Sequence, residues 1–227
     1  MALTWMDARL DEQPITPRSG KPVEVNALWF NALRAMADFA RRGGRDASVY
    51  DRMARRAGTT FARFWNPAAG HCFDVLDGPR GPDAALRPNQ IFAVSLPESA
   101  LAPSQQRAVV DVCADRLLTT YGLRSLSPVD PSYIGHYGGD VRERDRAYHQ
   151  GTVWSWLLGP FAIAHFNVYG DRAAARAYLE PMANHLGAYG LGTIAEIFDG
   201  EPPHAPRGCI AQAWSVAEIL RAWRVLA

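Results

Sequence analysis

Pro22-Val23-Glu24-Val25-Asn26-Ala27-Leu28-Trp29-Phe30-Asn31-Ala32-Leu33-Arg34-Ala35-Met36-Ala37-Asp38-Phe39-Ala40-Arg41-Arg42-Gly43-Gly44 is the stretch that decides the fold class. Proline suits a first helical turn. After it Val25, Leu28, Trp29, Leu33, Met36, Ala37 and Ala40 recur at steps of three and four until the glycine pair ends the pattern. The spacing predicts one long amphipathic helix. A second follows from about Ala47 to Trp65 on Tyr50, Met53, Ala57, Phe61 and Phe64, stopped by Asn66-Pro67. The turn-bounded segment His71 to Gly78 reads as a small strand or hairpin. Helical sequence returns at Pro88 to Leu96 and from Pro103 to Tyr121, where Gly122 is a candidate stop. It continues over Gly151 to Val168, Asp171 to Leu186 and Ile210 to Leu226, the last with Ala213, Trp214, Ala217, Leu220 and Trp223 on one face.

The stretch Ser125 to Gln150 is rich in Ser, Pro, Gly and Asp but carries Tyr133, Tyr137 and Tyr148, so it is expected as an ordered loop system over a site. About seven helices joined by loops of very unequal length, with no short repeat, predict an all-α chain. Antiparallel helix pairs would stack as an α/α toroid around a pocket, in a single domain over residues 1–227.

Composition narrows the function classes. A 227-residue chain with 48% apolar residues can bury a sizeable core. The formal charge is +1 and there are no basic runs, which argues against nucleic acid and anionic membrane as partners. Cys72, Cys113 and Cys209 are odd in number and far apart, suggesting neither a disulfide framework nor a zinc knuckle, and a reducing cytoplasm is the expected location. No signal-peptide pattern opens the chain. The most apolar stretch, Gly151 to Tyr169, is broken by Ser155, Gly159-Pro160, His165 and Asn167 and reads as a buried helix. Neither a His-Glu-x-x-His pattern nor a phosphate loop occurs, and Gly187, Gly190 and Gly192 have the wrong spacing for a dinucleotide fingerprint. No metal or cofactor is expected.

Two acids stand out. Asp7 lies in Thr4-Trp5-Met6-Asp7-Ala8 and Glu196 in Thr193-Ile194-Ala195-Glu196-Ile197-Phe198-Asp199-Gly200, both in irregular sequence among aromatic or apolar residues. Such neighbours desolvate a carboxylate, the condition under which a carboxyl group works as proton donor or acceptor near neutral pH. A pair of such acids suggests glycoside hydrolysis. The plainer alternative makes Asp7 a helix cap and Glu196 a surface turn residue. Trp5, Trp29, Trp154 and Trp214 have faces that stack on sugar rings, with core packing as the alternative, especially for Trp29 and Trp214. Asn26, Asn89, Gln90, His149 and Gln212 offer donors and acceptors to vicinal hydroxyls, or cap helices. His136 reaches toward substrate from the long loop, and Arg18 and Arg87 are either site residues or structural ion-pair partners.

Several strings occur together and in order: Thr4-Trp5-Met6-Asp7; Thr16-Pro17-Arg18; Gly20-Lys21-Pro22-Val23-Glu24-Val25-Asn26-Ala27-Leu28-Trp29; Arg87-Pro88-Asn89-Gln90; Gly135-His136-Tyr137; Tyr148-His149-Gln150-Gly151-Thr152-Val153-Trp154; and Gln212-Ala213-Trp214-Ser215. In these the chain resembles the C-terminal amylo-α-1,6-glucosidase domain of glycogen debranching enzymes along essentially its whole length. The resemblance implies a twelve-helix (α/α)6 barrel and an inverting mechanism, with Asp7 matching the general acid and Glu196 the general base. It places Gln150, with the residues above, among those that meet a glycogen or α-glucan oligosaccharide. With about seven helices, the chain looks like the C-terminal part of such a barrel. An N-terminal partner chain or self-association would complete it. A noncatalytic carbohydrate-binding fragment and a glucosidase for a smaller α-glucoside are the alternative readings.

Overall fold

Helix α1 spans Val23–Arg42, with Pro22 at its N-cap and Gly43 at its C-cap, whose N–H returns to the Phe39 carbonyl at 3.0 Å. The fold is that of a computed structural model, which describes residues 4–227. Beyond α1 come α2 (Ser48–Phe61), α3 (Phe92–Ser95), α4 (Pro103–Arg116), α5 (Val141–Ala147), α6 (Leu158–Tyr169), α7 (Arg172–Ala177), α8 (Glu180–Ala188) and α9 (Ala213–Val225). About half the chain is helical. The loops carry short antiparallel strands that the all-α expectation does not include.

The largest sheet holds five short strands in the order Pro206–Arg207, Ile197–Phe198, Val153–Trp154, Gly122–Arg124 and Leu118–Thr119. Segments distant in sequence thereby meet: Trp154 pairs with Ile197 on one side and with Leu123 on the other. Gly122, expected to stop a helix, belongs to this sheet instead. Its φ is +152°, and a Cβ there would collide with the Trp154 carbonyl oxygen, so glycine permits the close approach. The segment His71 to Gly78 forms strands as expected. His71–Cys72 pairs with Trp65–Asn66, and Val75–Gly78 pairs with Lys21–Pro22 at the foot of α1.

Other boundaries shift for local reasons. The helix expected over Gly151 to Val168 begins only at Leu158, because Val153–Trp154 is taken by the sheet and Ser155–Leu157 forms a 3-10 turn. The helix expected over Asp171 to Leu186 divides into α7 and α8, where Pro181 lacks the N–H that a continuous helix needs. Inside the expected loop Ser125 to Gln150, α5 forms on a reciprocal cap: Asp140 accepts from the Glu143 N–H, and Glu143 accepts from the Asp140 N–H.

The first turns of α6, Leu158 to Ala164, are buried all round and form the centre of the core. Two helices show a less expected use of their faces. On α1 the core takes Val23, Ala27, Leu33, Ala37 and Ala40, while Val25, Leu28, Trp29 and Met36 are exposed. On α9 the buried residues are Ser215, Ile219 and Ala222, whereas Leu220 is 64% exposed and Trp214 and Trp223 are also open. Both helices are thus apolar on two sides; among the described residues the second side stays largely open, apart from Trp214, which stacks on Trp156, and Trp223, which lies under the Arg176 guanidinium.

Candidate active site

Glu196 precedes the strand Ile197–Phe198, and three donors converge on its carboxylate. The Tyr148 hydroxyl donates to Oε1 at 2.6 Å, the Gln212 amide donates to Oε1 at 3.1 Å, and the Cys209 N–H donates to Oε2 at 3.0 Å. Tyr148 stands at the end of α5, Gln212 is the N-cap of α9, and Cys209 lies in the connection from the strand Pro206–Arg207 to α9. Gly208 next to Cys209 has φ +66°, and a Cβ there would strike Glu196 Oε2. The acid is therefore gripped on both oxygens while its side remains partly open.

The Tyr148 phenol is held well above the ordinary tyrosine range. Burial is the main cause, then its bond to Glu196 and the nearby charges of Glu196, Tyr137 and Asp7. Asp7 thus acts electrostatically on the hydroxyl that grips Glu196. The Asp7 side chain is exposed, unlike the desolvated acid expected from its neighbours. In this non-helical segment adjacent side chains diverge, so Met6 is fully buried while Asp7 faces solvent.

Beneath Asp7 the segment is anchored. The Trp5 indole N–H donates to Asn89 Oδ1 at 2.7 Å, and the Asn89 amide donates to Asp74 Oδ1 at 2.7 Å. Asn89 and Arg87 also approach the Met6 sulfur at 3.8 Å. Asp74 in turn takes the Arg18 Nε at 2.6 Å, and Arg18 grips Glu24 with two bonds of 2.5 and 2.7 Å. Burial works against the Arg18 charge, but Asp74 and Glu24 outweigh it and keep its pKa above the ordinary range. Arg18 is buried with its guanidinium committed to these two acids, so of its two expected roles it takes that of structural ion-pair partner and not that of substrate contact.

Arg87 donates to the carbonyls of Ser125 and His149 and to Gln150 Oε1, the last at 2.8 Å, tying these loops together. His149 stacks on Trp154 at 5.1 Å and meets Trp5 edge-on at 5.4 Å, with neither ring nitrogen hydrogen-bonded. Burial, reinforced by the charges of Arg87 and Arg18, pushes its pKa down to about 3, so the ring is neutral.

The remaining expected residues divide. Trp5, Gln150, Trp154 and Gln212 lie near Asp7 or Glu196, whereas Asn89 and His149, also near, are fully buried, so the hydrogen-bonding groups they were expected to offer to sugar hydroxyls are not open. Trp154 is buried with its N–H on the Tyr148 carbonyl, so it backs the site and offers no free face. Gln90 is also buried, accepting from the Cys72 N–H, so its amide is not open as the expected sugar contact would need. His136 is exposed at the rim and lies 3.3 Å from Asp199. Trp214 stacks on Trp156 at 3.9 Å, and both line a groove of about 630 Å³ with Trp5. Asn26 and Trp29 line a different groove between α1 and α2, and Asn26 donates to its own helix at Pro22.

Tyr148, the Cys209 N–H and the Asp74–Glu24 pair are site residues that the sequence did not single out. Tyr148 had a signal, standing beside His149-Gln150; Asp74 had none, because its partners are far away in the chain.

This constellation rests on a fold shared with sugar hydrolases. A mannosylglycerate hydrolase from Thermus thermophilus matches with a TM-score of 0.66 and 18% identity, over 90% of this chain and 45% of its own. A glucoamylase from Hypocrea jecorina matches with a TM-score of 0.55 and 17% identity, over 97% and 44%. The chain belongs to the amylo-alpha-1,6-glucosidase family, whose model matches residues 1–221. The glycogen debranching enzyme of Saccharomyces cerevisiae is 25% identical over 81% of this chain, which spans 15% of that relative's length. Among the described residues no helix is long and apolar enough to cross a membrane.

Proposed function

We propose that this chain carries the catalytic centre of an inverting α-1,6-glucosidase that releases glucose from branch stubs of a glycogen-like limit dextrin. Asp7 gives its proton to the departing glycosidic oxygen. Glu196 takes a proton from the water that attacks the anomeric carbon on the opposite face. Proton transfer by such placed groups, with no cofactor, supplies the chemistry. The observation that carries the reading is the three-donor grip on Glu196, made in part by a hydroxyl that also feels the charge of Asp7.

The helices are read as part of an (α/α)6 toroid forming one domain, with the acids at one mouth of the ring and the protein at work in the cytoplasm. The open apolar sides of α1 and α9 support a further polypeptide or a second copy covering that edge. Glucose release from a limit dextrin, by the chain alone or with such a partner supplied, tests the reading. It is expected to vanish in Asp7→Asn and Glu196→Gln. Unchanged release in both variants would refute it.

A further inference from the structure

We propose that Asn89, fixed by Asp74, is a positioning residue for Asp7, setting the acid's place through Trp5 and Met6. The inference rests on reading Asp7 as the proton donor.

Asp7 is exposed, and its side chain takes no hydrogen bond or ion pair among the described residues. Its place must therefore come from the backbone on either side. On the N-terminal side both neighbours are tied to one buried amide: Asn89 accepts the Trp5 indole N–H at 2.7 Å and points its own amide at the Met6 sulfur at 3.8 Å. That amide cannot rotate freely, because its N–H2 also donates to Asp74 at 2.7 Å. Asp74 is fixed in turn by Arg18 at Nε, 2.6 Å, and at a terminal nitrogen, 3.0 Å. Glu24, at the foot of α1, completes the grip on Arg18.

Two buried arginines, Arg18 and Arg87, stand near two buried carboxylates, Asp74 and Glu24, so the cluster is balanced in charge. Asn89 is fully buried and both ends of its amide are used. Such a network is rigid when complete and costly when broken. A rigid base matters here because displacement of a reacting group by about 1 Å can cost on the order of 100-fold in rate.

The test separates proton donation from folding. An unactivated glycoside such as isomaltose needs a proton on its leaving oxygen. In α-glucosyl fluoride the C1–F bond breaks with fluoride taking the electron pair, and water adds to C1 while giving its proton to Glu196. That substrate needs the base and not the acid. Asn89→Leu keeps a side chain of similar size and removes both bonds. It is expected to lower kcat/KM on isomaltose by roughly 10- to 100-fold while changing the fluoride rate by less than about 3-fold, the small effect left when no proton need be delivered.

Trp5→Phe keeps a ring in place but deletes the N–H, and is expected to show the same split to a smaller degree should Asn89→Leu fail to fold. Melting temperature and the anomer formed provide the check on structure. Equal losses on both substrates, or no loss on isomaltose, would overturn the relay while leaving the acid assignment intact. If the unaltered chain, alone or with the covering partner supplied, turned over neither substrate, or Asp7→Asn showed no split, the donor assignment itself would fall, and the relay with it.

Discussion

The Tyr148 hydroxyl donates to Glu196 Oε1 across 2.6 Å while lying within the electrostatic reach of Asp7. The phenol bonds Glu196 and feels Asp7, which lies 189 residues before Glu196 in the chain, through its charge alone. A hydrogen bond to a charged group contributes about 1.5–3 kcal/mol. Tyr148→Phe is therefore expected to lower the melting temperature by about 3–12 °C and, by loosening the hold on Glu196, to lower kcat/KM on an isomaltose-type substrate by roughly 10- to 100-fold. Steady-state kinetics and thermal unfolding on the same sample check this.

Gly208 allows the close turn beneath the Glu196 carboxylate. Gly208→Ala would place a methyl group against Oε2 and force alanine to φ +66°. Strain of this kind costs on the order of 1–3 kcal/mol, and the carboxylate must swing away. Both a lower melting temperature and a loss of glucose release are expected.

Thiol chemistry distinguishes the three cysteines. Burial pushes the Cys72 thiol up to about 12 and Cys113 higher still, whereas Cys209 is exposed. A thiol reagent is expected to modify one cysteine per folded chain. Because the Cys209 N–H holds Glu196, a bulky adduct there is expected to reduce activity, and Cys209→Ser to escape that inhibition. Titration with a chromogenic disulfide, followed by peptide mapping, reads the site.

His149 gives stability a definite dependence on pH. In the unfolded chain the imidazole takes a proton below about 6.5, and in the folded chain only below about 3. Between these values the unfolded state binds the extra proton, so stability falls as pH falls, by up to about 1.4 kcal/mol per pH unit. His165 and His185, also lowered by burial, act in the same direction. His149→Phe removes two unpaired ring nitrogens and is expected to lose less stability between pH 7 and pH 4.5 than the unaltered chain. Denaturant titrations at the two pH values measure the difference.

Helix spacing made α1, α2, α4 and α9 legible in the sequence, because a three-and-four step survives without knowledge of partners. The side each helix buries was less legible. Val25, Leu28, Trp29 and Trp214 fit an apolar stripe as well as Val23, Ala27 and Ile219 do, and only packing distinguishes the covered face from the open one. The sheet escaped because its strands are two or three residues long, below the length at which alternation carries a signal. At the site, local strings drew attention to Asn89, His149 and Gln212, but they carried no sign that Asn89 and His149 would be fully buried instead of open to a sugar. The burial of Arg18 depends on Asp74, 56 residues away, and no local pattern encodes that pairing. Asp7 was expected to be desolvated by its neighbours, yet sequence adjacency does not fix which way a side chain points outside regular structure.

The stereochemistry of the first glucose released decides most directly whether Asp7 and Glu196 act as donor and base. Proton nuclear magnetic resonance of an isomaltose-type substrate during early turnover separates the anomers before they equilibrate. An inverting pair is expected to yield β-glucose first, with Asp7→Asn and Glu196→Gln silent. Initial α-glucose, or full activity in either variant, would contradict the two-carboxylate assignment.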